Sequence, residues 1–325
     1  METYPDTMME NVQKLRSEQM PWRLIAWRYG LHEEQLRSGF RRWKRRNKQT
    51  IWDGVLPDHV RPFDLDIALP PVQTEPWKGH DKTYTQLVFG DMHVPYMCEQ
   101  SVAIMLQIIE DHQPQSIINL GDQQDAYALS DFMKDPNRKE TFEDEINITR
   151  VFLKKLRLAA PTADIQQFEG NHEERLRRTL WRAAKTSQVL FNLTSVRREL
   201  TWPVLLDLEG LAIKWHPTGT IAEIAPGFYG HHGDVKGDPF LKFGVSGISG
   251  HIHKFDMRTR RSVVEQLEWF TCPTMGTLNP EYDCHPSWQN GFWFFTHDLE
   301  EGTRYAEPVR IQDGKALFRG RKYSA

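Results

Sequence analysis

The chain has little cysteine. Cys98, Cys272 and Cys284 are the only three in 325 residues, odd in number and without metal-type spacing. That excludes a disulfide-stapled scaffold and a thiolate zinc site, and it fits a reduced, cytoplasmic protein. A Cys272–Cys284 bridge is the minor alternative. Long apolar runs are missing too. No stretch approaches a bilayer span, and the opening METYPDTMME has neither the basic start nor the apolar core of a signal peptide, so no membrane partner is expected. Internal repeats and low-complexity tracts are absent. What remains is 39% apolar and 11% aromatic residues, enough to bury a sizeable core, at a length that suits one large domain plus a small one.

Charge is unevenly spread. Residues 1–50 hold 11 Lys/Arg against 6 Asp/Glu, a net of +5, while the other 275 residues hold 30 against 38, a net of −8. A basic arm on an acidic body points to a polyanion as the arm's partner. Residues 8–48 read as helices, with Pro21 allowed in a first helical turn and Gly30 placed to end one. Prolines 57, 62, 70, 71 and 76 then mark residues 51–82 as an extended linker. From residue 83 to 325 the pattern is α/β: strand-like runs before Gly90 and Gly121 enclose CEQSVAIMLQIIEDH, which has helical spacing. Beyond residue 200 strands and turns prevail, with alternation in WFTCPTM and GFWFFTHDL.

Five polar segments stand out: Gly90-Asp91-Met92-His93, Gly121-Asp122-Gln123-Gln124-Asp125, Gly170-Asn171-His172-Glu173, His231-His232-Gly233-Asp234 and Gly250-His251-Ile252-His253. Each of the first three follows an apolar strand-like run, which places it on the loop leaving a strand's carboxyl end, where open α/β sheets assemble sites. Glycine there lets the backbone turn sharply and approach an ion. On an extended segment, D-x-H and H-x-H spacings would turn two ligands to one centre, since alternate side chains share a face. Taken singly, each segment has an ordinary structural reading; Asn171 and Glu173, for example, suit the start of a helix. Their joint occurrence, in order and after strands, does not.

The five segments resemble the five blocks of the calcineurin-like metallophosphoesterase superfamily, D-x-H, G-D-x-x-D, G-N-H-[ED], H-G and G-H-x-H, over roughly residues 84–300. Within it the chain looks most like phage or prophage phosphoesterases and, distantly, DNA-repair nucleases. The resemblance implies a two-sheet sandwich flanked by helices, with a dinuclear site at the strand ends. It places Asp91, His93, Asp122 and His253 on one metal, and Asp122, Asn171, His232 and His251 on the other. His172 would be the general acid, oriented by Asp125. In the fourth block the family's ligand directly precedes the glycine, which favours His232 and leaves His231 an outer position. The complete His-x-His fits the diesterase and nuclease branches better than the Ser/Thr protein phosphatases, whose Arg after G-D-x-x-D is replaced here by Ala126 and Tyr127.

Elementary chemistry agrees. Two cations can clamp a phosphoryl group, neutralise its oxygens and activate a water between them. Imidazole, amide and carboxylate ligands without thiolate suit Mn²⁺ first, with Fe²⁺ or Zn²⁺ as alternatives. A histidine titrating near neutrality can protonate the leaving alkoxide. After His172, Arg175, Arg178 and Arg182 share a helix face by spacing, either as a solvated basic face or as a track for substrate phosphates.

The N-terminal segment Ile25-Ala26 … Tyr29-Gly30-Leu31 … Leu36 resembles a helix-turn-helix, although Gly39 stands where an apolar residue is expected. Arg41, Arg42, Arg45 and Arg46, with Trp43 among them and no acid from 35 to 48, suit contact with DNA phosphates. Against this, the arm could be a solvated or oligomerising hairpin, and Glu33 and Glu34 oppose tight base reading. Three readings follow: a DNA phosphodiesterase delivered by its basic arm; the same site acting on a cyclic nucleotide or phosphomonoester, with the arm serving assembly; and a DNA-binding protein whose esterase domain has lost activity. No expected ligand is missing, which weakens the third.

Overall fold

Aromatic and β-branched runs occupy both faces of the central strands, and that double burial sets the layer order. A computed structural model describes residues 5–17, 22–29, 31–32, 34–37, 39–40, 43, 82–131, 141–233, 237–261, 266–278 and 287–325. The chain forms two compact units, Met1–Asp66 and Ile67–Ala325. In the first, helices α1 (Asp6–Ser17) and α2 (Trp22–Arg28) bring Met9, Val12, Ile25 and Ala26 to a small core shared with Leu36, Phe40 and Trp43 further along the chain. Trp43 is only 5% exposed and stacks on Phe40 at 5.7 Å and 19°. It therefore packs this unit instead of presenting a face among the arginines. Arg41, Arg42, Arg45, Arg46 and linker residues 51–81 lie outside the described residues.

In the second unit, β1 (Thr83–Phe89), β2 (Ser116–Asn119), β3 (Asp164–Phe168) and β4 (Ile213–His216) run parallel. Helix α3 (Glu99–His112) joins the first two. Helix α4 (Phe142–Ala159) precedes β3; its start is fixed by a capping box in which Thr141 and Asp144 satisfy each other's backbone N–H. Between β3 and β4 lie α5 (Glu174–Phe191), α6 (Thr194–Glu199) and α7 (Trp202–Leu205).

The chain then builds a second sheet from β5 (Ala222–Ala225), β6 (Phe228–His231), β7 (Ser246–Ser249), β8 (Asp256–Arg261) and β9 (Gln266–Thr271), with α8 (Pro239–Phe243) before β7. It returns to the first sheet as β10 (Gly291–Asp298) and β11 (Thr303–Arg310), and ends in a hairpin, β12 (Lys315–Phe318) and β13 (Arg321–Ser324). Strand orders are β11-β10-β1-β2-β3-β4 and β5-β6-β7-β9-β8.

Alternation does the rest. Leu87, Phe89, Ile117, Ile165, Phe292 and Phe294 pack with the helical residues Ile104, Met105, Ile108, Phe152 and Leu156. Their strand neighbours Tyr84, Val88, Ile118, Phe168, Trp293 and Phe295 meet Ile224, Phe228, Ile248 and Phe270 of the second sheet. On the far side of that sheet Phe243 of α8 stacks on Trp269 at 5.2 Å. The expected two-sheet sandwich flanked by helices is the observed architecture. Cys98 and Cys272 are free thiols, Cys272 buried, and Cys284 lies outside the described residues. Among the described residues no helix is long and apolar enough to cross a membrane.

Candidate metal centre

Each of the five polar segments leaves the carboxyl end of a strand: β1, β2 and β3 in the first sheet, β6 and β7 in the second. Within each sheet these strands are parallel, so their loops share one edge. The ligand pairs do not sit on extended backbone, however. Asp91, His93, Asp122, His251 and His253 all have left-handed φ, between 50° and 72°. Such turns cost non-glycine residues about 1–3 kcal/mol each and persist only where the surroundings over-determine them. They let D-x-H and H-x-H aim two side chains at one point from a tight loop. Glycine is required where loops touch: a Cβ on Gly170 would lie 2.1 Å from Asp122 Oδ1, and one on Gly250 would lie 2.7 Å from Asp91 Oδ2.

Two groups of donor atoms result, Asp91–His93–His253 and Asp122–His232–His251, and a third, His93–Asp122–His172, connects them; within each group the atoms lie within 4.8 Å of one another. In the first, His93 Nε2 and His253 Nε2 face each other at 3.3 Å, and His253 Nε2 is 3.2 Å from Asp91 Oδ1. The Asp91 carboxylate is fully buried and held by the His251 backbone N–H. In the second, His232 Nδ1 donates to the Leu120 carbonyl at 2.8 Å, which turns Nε2 toward Asn171 Oδ1 at 3.0 Å and Asp122 Oδ1 at 3.4 Å. A lone pair aimed at two oxygens needs a positive charge between them. Burial opposes a proton there, yet Asp122 overrides it and raises His232 to about 10. A divalent cation would take that proton's place, and the same holds for the facing nitrogens of His93 and His253. These residues could hold a divalent cation.

The fourth segment also resolves. His231 ends β6 pointing away: its Nδ1 donates to the Thr220 carbonyl at 3.0 Å and its ring packs on Phe243. Consecutive residues at a strand end face opposite sides, so His232 alone turns inward.

His172 stands between the carboxylates. Its Nδ1 is 2.9 Å from Asp125 Oδ1, and its Nε2 is 3.9 Å from Asp122 Oδ2. Burial lowers its pKa, but Asp122 and Asp125 outweigh burial and raise it to about 9. Asp125 also lies 3.5 Å from His93 Nδ1; burial alone would raise its carboxyl, and the two histidines hold it well below the usual carboxylate range. Arg175 donates to the Asp125 carbonyl at 2.6 Å and approaches His172 Nε2 at 3.3 Å. The other arginines of that helix are engaged elsewhere. Arg178 pairs with Glu174 at 2.6 Å, and Arg182 pairs with Asp131. Of the three, Arg175 reaches Asp125 and His172, while Arg178 pairs with Glu174 one turn back on the same helix and Arg182 with Asp131.

Glu173 is the residue whose importance the sequence did not disclose. Fully buried, it accepts the backbone N–H groups of Asp122 at 3.0 Å, Gln124 at 2.9 Å and Gly170 at 2.8 Å, which ties the second segment to the third. Burial first, and Asp122 after it, push its carboxyl up to about 7. Its place in the G-N-H-[ED] block was visible, but a helix-start reading explained it equally well. Behind it, Glu145 accepts the Ala126 N–H and is pushed by burial to about 8.

No family model matches the chain. Over 236 residues, 65% of this chain and 88% of the relative, it is 25% identical to the Gene 54 protein of Mycobacterium phage L5. Among solved structures it is similar to vacuolar protein sorting 29 from Cryptosporidium parvum, at 13% identity, TM-score 0.41, and coverage of 75% of this chain and 100% of that one. It is also similar to YfcE, a phosphoesterase from E. coli, at 12% identity, TM-score 0.36, and coverage of 70% and 100%. In its five motif blocks, and in the two-sheet sandwich that carries them at its strand ends, the chain resembles the calcineurin-like metallophosphoesterases.

Proposed function

We propose that this chain is a metal-dependent phosphoric ester hydrolase with a dinuclear cation site, acting on the phosphodiester bonds of DNA. One observation carries the reading: two converging sets of imidazole and carboxylate atoms, joined through Asp122, with a histidine between two carboxylates beside them. Asp91, His93, His253 and Asp122 would hold one ion, and Asp122, Asn171, His232 and His251 the other. Thiolate-free ligands of this mix suit Mn²⁺ first, and Fe²⁺ or Zn²⁺ after it. Cations there supply charge neutralisation on the phosphoryl oxygens and acidify a water.

The chain's own residues do the rest. Asp125 fixes the His172 ring through Nδ1, so Nε2 faces the reacting group and delivers a proton to the departing alkoxide. Arg175, 3.3 Å from that nitrogen, is placed to meet an anionic ester oxygen, and its positive charge favours release of the His172 proton. Glu173 holds the Asp122 loop still while charge develops.

The basic arm supports DNA as substrate, since Arg41, Arg42, Arg45 and Arg46 lie within an acid-free segment. Mn²⁺-loaded protein should cleave labelled single- or double-stranded DNA as well as a small chromogenic diester. Changing the four arginines to glutamine in the full-length chain should leave the small diester unaffected, weaken DNA binding, and flatten its log–log salt dependence by about 0.9 per lost phosphate contact. Unchanged DNA affinity and salt slope would transfer the reading to a small phosphoester, with the arm used for assembly.

A further inference from the structure

We propose that strand β8 is a nucleic-acid-binding surface, along which the phosphates of a single strand lead away from the metal centre; this rests on the DNA reading above. Residues 254–261 hold four bases, Lys254, Arg258, Arg260 and Arg261, against one acid, Asp256. That is a net of +3 within the 275 residues beyond the arm, which together carry −8. The strand begins three residues after His253 and pairs antiparallel with β9, Asp256 opposite Thr271 and Arg261 opposite Gln266. Because β9 runs parallel to β7, its carboxyl end lies at the metal-bearing edge. Strand β8 therefore starts at that edge and runs away from it. Six residues at about 3.3 Å each make a path of roughly 20 Å.

β8 is the last strand of its sheet, and among the described residues no strand pairs with its outer side. Every residue from Met257 to Arg261 is exposed. Register sets Arg258 opposite Trp269 and Arg260 opposite Leu267, so both guanidinium groups rise on the face that carries α8, from backbone positions about 7 Å apart. Arg258 touches Asp256 through Nε at 3.2 Å, and Arg260 touches Asp238 through one terminal nitrogen at 3.3 Å. Both pairs are about half exposed, and such pairs contribute only about 0–1 kcal/mol, so an arriving phosphate can exchange for the aspartate. Lys254 and Arg261 have no ion-pair partner among the described residues. Charge on an edge strand also guards against edge-to-edge pairing, but either sign serves that purpose, and β5 at the other edge of this sheet carries Glu223. Three arginines, whose planar forks match phosphate oxygens two at a time, leading from a phosphoester site, point instead to a polyanion. A small monophosphate ester has no second phosphate to place along such a path.

The test uses full-length, Mn²⁺-loaded protein, a labelled oligothymidylate and methyl p-nitrophenyl phosphate. The triple variant Arg258→Gln, Arg260→Gln, Arg261→Gln should flatten the log–log salt dependence of oligothymidylate binding by about 2, from three phosphate contacts at about 0.7 each. Affinity at physiological salt should fall about 10–100-fold, while kcat/KM for methyl p-nitrophenyl phosphate stays unchanged. Asp238→Asn with Asp256→Asn should act in the opposite direction and tighten binding. Each removes a carboxylate that competes for an arginine, and the amide oxygen still accepts the N–H of Phe240 or Met257. A strand that only guards its edge predicts aggregation of the triple variant with the salt slope intact. That result, or a slope unmoved by both sets of substitutions, would overturn the proposal. Binding is measured apart from turnover. A chain that binds oligothymidylate through β8 yet cleaves neither DNA nor the diester would overturn the phosphoesterase reading and leave this surface standing.

Discussion

Removing the Glu173 carboxylate tests how the two halves of the site are held together. Its Oε2 accepts from Asp122 and Gly170, and its Oε1 accepts from Gln124. Glu173→Gln can keep the carbonyl oxygen on the side that serves two donors, so the amide –NH₂ confronts only the Gln124 N–H. One buried donor without a partner costs about 1–3 kcal/mol. Glu173→Ala strands all three, about 3–9 kcal/mol by the same reckoning, before any cavity term. That is comparable with the 5–15 kcal/mol total typical of a folded protein. Because Asp122 sits on backbone at φ 50°, freeing its N–H should also let its carboxylate drift from both donor sets.

The expected series in urea unfolding is wild type above Glu173→Gln above Glu173→Ala. Mn²⁺ affinity in Glu173→Gln should fall about 10–100-fold, the usual cost of losing an outer hydrogen-bond partner of a ligand. A Glu173→Ala protein with wild-type stability and a full metal complement would refute the clamp.

Further outcomes follow from the same geometry. Wild-type protein loaded with Mn²⁺ should retain two ions per chain by elemental analysis, and Asp122→Asn should weaken both; one equivalent or fewer in the wild type would rule out the dinuclear site. His172→Ala should cut turnover by roughly 10²–10⁴-fold with metal content intact, most severely for poor leaving groups; full activity would end its role as acid. Burial, then Lys214, lowers His216 to about 4, and burial, then Arg304, lowers His297 to about 3. Both are neutral when folded, so their contribution is complete above the unfolded pKa near 6.5 and is lost as pH falls toward 4 and then 3. His297→Phe should therefore shrink the stability difference between pH 7 and pH 5 by about 2 kcal/mol, and an unchanged difference would show that His297 does not titrate in this way.

Much of this protein was local and hence legible in its sequence. A strand-like run followed by Gly-Asp or Gly-Asn announces a loop at a strand end, and ligand types are properties of single residues. The α/β order, the five segments and the inward-facing members of four of them followed from that. Three features needed the fold. His93 meets His253 across 160 positions of sequence, a contact no local period encodes. His231 and His232 are chemically identical neighbours; the family resemblance favours His232, and the direction of β6 is what turns it to face Asp122. The fates of Arg182 and Glu173 depended on partners supplied from elsewhere: Asp131, and the backbone N–H groups of Asp122 and Gln124. Spacing fixes which side of a helix or strand a residue occupies, but burial and pairing are set by whatever the rest of the chain brings to that side.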